Sequence, residues 1–470
     1  MEKRVYLLME TKKRELDSRC YFAVKSCLKN FSVVLSKKDS FYKNKKHLKP
    51  GFVFFKSLGR NYYTEIKKAK KLGFKICAQD EEGLQIFDKE DYLDRRLYYD
   101  NLDYLDYIFT WGKRDYEMLS DLPQKIRDNI YITGSPRVDI LKNPINSIYA
   151  EEAKKIKKKY GNFFLFNTYF TFSNHFFFKD KEKKSLALEA EGSSEKSLIY
   201  KRGLQMKEFQ SKTMAKSLEF IKDFASKFPN EKLIIRPHPS ENHEIWFQTA
   251  KKFDNVDCIY DDQNTCSWMM ASSFSISSNC TTSIESFLLG KFNYNFRPII
   301  DEKVEFDLPK ICGINVETVE KLLNKISIFL DKNTDEKIFT EEYTKKVDKL
   351  KNYMANVEEK KCSVDEILNF LSKDKNESIF VKEKHMSRFV LFLNKQIRRI
   401  AFYKMRITGV FAKKTKDKIE FAIQKFPDLS ESEISAKISN ILKKMNIDNN
   451  LIVKEIYPGS FLIKANQKKY

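Results

Sequence analysis

Short apolar runs separated by amphipathic stretches, repeated over residues 4–140 and again over 163–289, constrain this chain more than any other feature. Apolar runs bounded by turn signals read as buried strands, and apolar residues at helical spacing between them read as crossover helices. This alternation predicts βα units and a parallel sheet. In the first series the strands are expected at 5–9, 32–35, 52–55, 75–78, 107–111 and 131–133. A helix over 62–72 carries Ile66, Ala69 and Leu72 on one face, and Gly73 supplies its stop. The second series places strands at 163–167, 232–236, 258–260 and 274–277, with helices over 205–228 and 282–289. The fold class that follows is α/β, with two tandem Rossmann-like domains and a helical, basic C-terminal region. The expected boundaries are 1–145, 160–335 and 336–470, with a charged, proline-containing linker after Asp139. Two doubly wound domains in tandem are expected to leave a cleft at the carboxyl ends of their strands, where ligands of such folds bind.

The length of 470 residues fits two domains plus an appendage, and 42% hydrophobic residues suffice for packed cores. No stretch reaches the roughly 18 uninterrupted apolar residues of a membrane span, and the first residues turn charged before a signal-peptide core could form. The expectation is a cytoplasmic protein. The eight cysteines show no CxxC pairing and no histidine at metal spacing, so neither disulfide nor metal site is expected. A formal charge of +22 favours a polyanionic partner: nucleic acid, an anionic membrane face or an acidic substrate. Nucleic acid is set aside, because no recognition motif is present and the aromatics fall in core-like runs.

Chemistry-bearing residues gather at predicted strand ends. Arg236-Pro237-His238-Pro239 closes an apolar strand, and two prolines hold His238 on a stiff exit beside Arg236, a pairing suited to phosphate. The plain alternative is a histidine satisfied by backbone. Ser277-Ser278-Asn279-Cys280-Thr281-Thr282 runs from a strand into a helix, offering hydroxyls and helix-start N–H groups to an anion, with Glu285 one turn in for a ribose. Alone, such hydroxyls are ordinary helix caps. In the first series Gln79-Asp80-Glu81-Glu82-Gly83 follows a strand and offers a nucleophile or general base, where the alternative is a solvated loop. Thr133-Gly134-Ser135-Pro136-Arg137-Val138-Asp139 closes the last strand, with Gly134 in a tight turn and Arg137 directed to the cleft.

In their order, Asp80-Glu81-Glu82-Gly83, Trp111-Gly112, Thr133-Gly134-Ser135-Pro136-Arg137, Asn167-Thr168, Arg236-Pro237-His238-Pro239 and Ser278-Asn279-Cys280-Thr281-Thr282 resemble bacterial surface carbohydrate biosynthesis proteins. That group is similar to the retaining Kdo transferases of GT-B fold, and the resemblance covers about residues 1 to 300. It implies a glycosyltransferase that moves Kdo or a related nonulosonic acid from a CMP-sugar to a surface polysaccharide or lipid-linked glycan, as in capsule and O-antigen assembly, without cofactor or metal. Carried over, Arg236, His238, Ser277, Ser278, Thr281, Thr282, Glu285, Asn167 and Thr168 would bind the nucleotide, and Glu82, Asp80 or Glu81 would be catalytic. Two glutamates stand before Gly83 where relatives often have one acid and a small residue, so which carboxylate acts stays open. A polyol-phosphate (CDP-glycerol-type) transferase resembles the chain at the same turns, and a sugar-nucleotide 2-epimerase is a further alternative. Finally, residues 381–420 mix Arg388, Arg398, Arg399 and Lys404 with Phe389, Leu391, Phe392 and Ile400, the pattern of a basic amphipathic helix lying on anionic lipid or packing on the domains.

Overall fold

The computed structural model describes residues 2–179, 198–261, 263–332, 344–358, 360–375, 383–394, 396–397 and 420–466. Its strands are β1 (Arg4–Met9), β2 (Ser32–Lys37), β3 (Phe52–Phe55), β4 (Lys75–Ala78), β5 (Tyr107–Thr110), β6 (Ile130–Ile132), β7 (Phe164–Asn167), β8 (Leu233–Arg236), β9 (Val256–Cys258), β10 (Ser275–Ser277), β11 (Asn293–Phe296), β12 (Ile314–Val316), β13 (Leu451–Tyr457) and β14 (Ser460–Ala465). They form two sheets, ordered β13-β14-β2-β1-β3-β4-β5-β6 and β12-β11-β10-β7-β8-β9. Apart from the antiparallel β13-β14 and β14-β2 pairs, neighbours run parallel. The chain divides into two compact units: Met1–Gly83 with Arg96–Ile148 and Tyr353–Tyr470, and Leu84–Arg95 with Tyr149–Asn352. The α/β class with two Rossmann-like units therefore stands.

In unit 1, β1 is buried along its whole length, as a strand covered on both faces must be. Tyr6 packs edge-on to Phe74 at 5.2 Å, and Phe41 lies 5.5 Å from each of those rings. The helix Tyr63–Lys71 buries Ile66 and Ala69, and Gly73 takes φ 85°, the left-handed conformation that ends it. Unit 2 has the order expected of a doubly wound sheet, in which β7 and β10 are central neighbours whose chains lead to opposite sides. Its helix Leu198–Lys227 begins earlier than the spacing predicts, and its third strand lies at Val256–Cys258 rather than 258–260.

The C-terminal expectation needs correction. The described residues from Tyr353 onward cluster with unit 1 and include two strands as well as helices, rather than forming a separate helical region, and the short segment Leu84–Arg95 goes with unit 2. β13 and β14 form a hairpin across Pro458-Gly459, with Gly459 at φ 79°, and β14 pairs with β2. The reason is burial: Ile456, Tyr457 and Leu462 join the core around Tyr6 and Phe41, and the hairpin covers an edge that β2 would otherwise expose. Of the basic segment 381–420, residues 383–386 are tied to unit 1, where Met386 N donates to Ile456 O and Lys384 N to His47 O. Lys395 and residues 398–419, including Arg398, Arg399 and Lys404, lie outside the described residues.

The returning chain is clamped by the turn after β6. Asn356 pairs with Ser135 as a backbone would, its Oδ1 accepting from Ser135 N at 3.1 Å and its Nδ2 donating to Ser135 O at 2.9 Å. Asp139 accepts from Asn356 Nδ2 at 2.6 Å and from the N–H groups of Ser363 and Val364 at 3.0 Å, capping the helix Ser363–Lys373. Lys3 Nζ satisfies the other end through the carbonyls of Leu371, Ser372 and Asp374. Gly134, at φ 83°, is required here, since a Cβ would fall 2.0 Å from Asn356 Oδ1. The substitution Asn356→Ala strands buried polar groups of Ser135 and Asp139 and should cost on the order of 1–3 kcal/mol, read as a lower thermal midpoint. An unchanged midpoint would show that the clamp does not hold the C-terminal chain.

Candidate functional site

The carboxyl edge of the unit 2 sheet collects the residues that the motifs singled out. Asn167, Ser277 and Arg236 are register partners across β10, β7 and β8, so they stand side by side where those strands end. The β7/β10 boundary is also the switch point of the sheet, the place where a crevice opens in such folds. Asn167 is 3% exposed, and neither its Oδ1 nor its Nδ2 has a hydrogen-bond partner. A buried amide with both ends unsatisfied is costly, and a ligand that reads both a donor and an acceptor would relieve it. Beside it Ser278 is buried, while Thr281, Thr282 and Glu285 are half-buried around the start of the helix Thr282–Leu288.

The loops leaving β7 and β8 are joined through one residue that the motif reading passed over. Glu241 is fully buried; its Oε1 accepts from Thr168 Oγ1 at 2.8 Å and Phe170 N at 3.0 Å, and its Oε2 from Trp246 Nε1 at 2.8 Å and Asn174 Nδ2 at 3.4 Å. Burial raises its pKa in spite of these bonds. Further pairing between Asn242 N and Asn174 O, and between Phe176 N and Ser240 O, zips the two loops together. Thr168 Oγ1 accepts from His238 N at 3.2 Å, and His238 Nδ1 accepts from Ser240 N at 3.1 Å. That second bond puts the proton of the neutral ring on Nε2, so the ring presents a donor on its far side. Tyr169 packs edge-on against it at 5.4 Å.

Other predicted residues have internal roles. Arg236 bonds Asp261 Oδ1 at 2.9 Å and Gln263 O at 3.2 Å, with its guanidinium 4.7 Å from the centre of the Trp268 ring, and burial lowers its pKa. Ser277 is buried in a network with Ser283 and Asn293, which connects β10 to its helix and to β11. Asn279 takes φ 47°, a conformation asparagine tolerates, and holds Val304 O and Phe306 N.

In unit 1 the acidic turn after β4 separates its three carboxylates. Glu81 is buried in an ion pair with Arg19. Arg137, predicted to face an anion, is also buried and donates to Glu81 O at 3.0 Å, fixing the turn. Glu82 lies 2.7 Å from Arg96 and 3.4 Å from Arg14; burial would raise its pKa, but Arg96, Arg14 and Lys56 outweigh that and hold it well below the usual range. Asp80 behaves oppositely: burial raises its pKa against the pull of Arg96, and its Oδ1 accepts from Glu82 N at 2.8 Å. Trp111 fixes the turn by donating to Asp80 O, and it packs so closely on Gly83 that a Cβ there would lie 2.7 Å from the ring. Among the described residues no group of three or more His, Cys, Asp or Glu is placed to hold a metal ion. Among them, too, no helix is long and apolar enough to cross a membrane.

No family model and no curated protein matches the sequence. Among solved structures, a putative UDP-N-acetylglucosamine 2-epimerase from Listeria monocytogenes is similar over 81% of this chain and 100% of its own, at 13% identity and a TM-score of 0.48. The UDP-GlcNAc 2-epimerase of Methanocaldococcus jannaschii is similar over 80% and 100%, at 12% identity and 0.47. A variant of the wall teichoic acid polymerase TagF is similar over 79% and 89%, at 12% and 0.47. At scores under 0.5 these likenesses do not decide a substrate, and the fold class rests on the strand orders above.

The partners of Glu241 are chiefly donors, so Glu241→Gln should turn its amide against Trp246 and Asn174. The expected cost is on the order of 1–3 kcal/mol, with a lower thermal midpoint and faster proteolysis of the loop around Phe170. Wild-type stability and protection would remove Glu241 as the organiser of this edge. The pH sign follows from its raised pKa: the ionised form is disfavoured by folding, so the contribution of Glu241 to stability falls as pH rises from the ordinary carboxylate range through the raised value.

Proposed function

We propose that this protein is a glycosyltransferase that moves an ulosonic acid, Kdo or a related nonulosonic acid, from CMP to a surface polysaccharide or lipid-linked glycan. The observation that carries a nucleotide site is the unsatisfied amide of Asn167 at the β7/β10 switch point, beside the Nε2 donor of His238. The choice of CMP comes from the motif resemblance. In this reading Asn167, Thr168, Ser278, Thr281, Thr282 and Glu285 surround the nucleotide, and His238 donates to its phosphate. Charge develops on that phosphate as the bond between the sugar and its phosphate oxygen breaks, and a fixed donor stabilises it.

The two carboxylates of unit 1 have their pKa values pushed apart, the usual mark of divided acid and base roles. Glu82, held ionised, would form the glycosyl adduct if configuration is retained, or take the proton of the acceptor hydroxyl if it is inverted. Asp80, whose pKa burial raises, would serve as the acid that gives a proton to the substrate. Glu81 remains an internal partner of Arg19. A CDP-glycerol-type polyol-phosphate transferase is the second reading, since the same donor set fits a pyrophosphate. Peripheral attachment to an anionic membrane belongs to the proposal: Phe389 and Phe392 are 69% and 57% exposed next to Arg388, whereas Leu391 is buried.

Ligand-induced thermal stabilisation separates the readings: CMP should stabilise the protein more than CDP or UDP at equal concentration. Stronger stabilisation by CDP would favour the polyol-phosphate reading, and by UDP the epimerase. His238→Ala should weaken CMP binding by about tenfold to a hundredfold in a folded protein. Glu82→Gln should lower turnover by about a hundredfold or more while CMP affinity stays near wild type. Full turnover in that variant would move the role to Asp80 if Asp80→Asn is inactive, and full turnover in both would leave the acidic turn a structural role only. Sedimentation with phosphatidylglycerol vesicles should show binding at low salt that is lost at high salt, and no binding at either would leave residues 381–420 a packing role.

A further inference from the structure

Unit 1 has its own switch point, which the nucleotide reading leaves unused. In the order β2-β1-β3 the chain leaves β1 toward β2 on one side and reaches β3 on the other, so a crevice is expected at the carboxyl ends of β1 and β3. Glu10 directly follows β1, Lys38 follows β2 and Lys56 follows β3. Lys38 Nζ donates to Glu10 Oε1 at 2.7 Å, as does Tyr62 Oη, and Lys56 pairs with Oε2 of the same carboxylate. Burial opposes these cations but loses to Lys56 and Lys38, which bring Glu10 down to about 2. Nearby, Glu82 is shared by Arg96 and Arg14. The acids of this edge are therefore already matched with bases.

Lys425 is left over. It lies on the helical turn 420–425 of the returning chain, half-buried, with its Nζ 4.6 Å from the centre of the Phe421 ring and no carboxylate partner among the described residues. The charged groups around it are Lys56, Glu10, Glu82 and Arg14, and burial together with Lys56 lowers its pKa. Arg19, 1% exposed on the helix that follows β1, uses Nη2 for Glu81 while Nε and Nη1 have no hydrogen-bond partner. The buried Glu15 faces Lys56 and Arg19. The acids here are thus Glu10, Glu15, Asp80, Glu81 and Glu82 against the bases Lys38, Lys56, Arg14, Arg19, Arg96 and Lys425, so one base is left over where the topology leads a crevice to be expected. An ammonium so placed is costly unless an anion joins it.

We propose that Lys425, Lys56 and Arg14 form an anion subsite at the β1/β3 switch point of unit 1, which takes a phosphate or carboxylate group of a substrate. The transferase reading enters only in making that substrate the acceptor glycan. The site itself stands on the geometry of unit 1, apart from His238 and Asn167.

The test is thermal stabilisation of the full chain by inorganic phosphate and by glucuronate, at constant ionic strength, in wild type, Lys425→Met, Lys425→Arg and His238→Ala. Wild type should be stabilised by at least one of the two anions. A response to phosphate alone assigns a phosphorylated group, and a response to glucuronate alone assigns an acidic sugar. Lys425→Met should raise the resting midpoint, by removing an unpaired charge, and should need about tenfold more anion for the same shift. Lys425→Arg should keep the response, and His238→Ala should leave it intact even if CMP proves not to bind at all. Equal anion responses in wild type and Lys425→Met would overturn the proposal. So would a response lost only in His238→Ala, no response in wild type, or a resting midpoint lowered by Lys425→Met.

Discussion

A buried carboxylate that accepts from several donors fixes the geometry of the unit 2 edge. Glu241 binds the loop after β7 through Thr168, Phe170 and Asn174, and the stretch after β8 through Trp246. The loops that leave neighbouring strands of a parallel sheet lie beyond its ladder, so cross-links must form between them before a crevice can hold a shape. Here Glu241 adds side-chain links to the backbone pairs of Asn174 with Asn242 and Phe176 with Ser240. Thr168, fixed by Glu241, in turn positions the backbone of His238, and Ser240 sets the tautomer of its ring. Unit 1 uses the same device in Asp139, which accepts from Asn356 and two backbone N–H groups and so fastens the returning chain to the turn after β6. In both units a charge that is expensive to bury becomes a multivalent acceptor, and removing it would leave several donors unmatched.

The two edges then differ in what they leave unsatisfied. Unit 2 leaves the neutral amide of Asn167 unsatisfied, close to the loop that carries His238, a setting suited to a polar ligand. Unit 1 concentrates charge, with Glu10, Glu82 and Glu81 each answered by bases and with burial raising the pKa of Asp80. The first arrangement suits recognition of a polar ligand, and the second suits proton movement or stabilisation of developing charge. This division is why the proposed chemistry gives the nucleotide to one unit and the reacting carboxylate to the other.

Much of this was legible in the sequence because parallel strands buried on both faces are near-continuous apolar runs. Phe52–Phe55 and Lys75–Ala78 have the bounds that pattern predicts, and Gly73 ends its helix in the left-handed conformation. The C-terminal hairpin was missed because the high charge around it reads as a solvated helix, although Tyr457-Pro458-Gly459-Ser460 between alternating apolar residues is a turn signal. At the candidate sites, residue type singled out segments at the carboxyl ends of strands but not the direction of each side chain. Arg236 and Ser277 end their strands and Arg137 lies in the short turn of helix after β6, and all three face inward, to Asp261, to Asn293 and to Glu81 O. Glu241 was invisible for the converse reason, since a glutamate two residues after the second proline reads as an exposed loop acid until its donors are known.

The central claim is that the β7/β10 switch point of unit 2 holds the nucleotide. A crystal structure of the protein soaked with CMP tests it most directly. The account predicts electron density for the nucleotide at the carboxyl ends of β7 and β10, with the Asn167 amide hydrogen-bonded to the ligand and its phosphate within about 3 Å of His238 Nε2. Nucleotide density at the β1/β3 edge of unit 1 instead, or an Asn167 amide that stays unpaired beside a bound nucleotide, would contradict it.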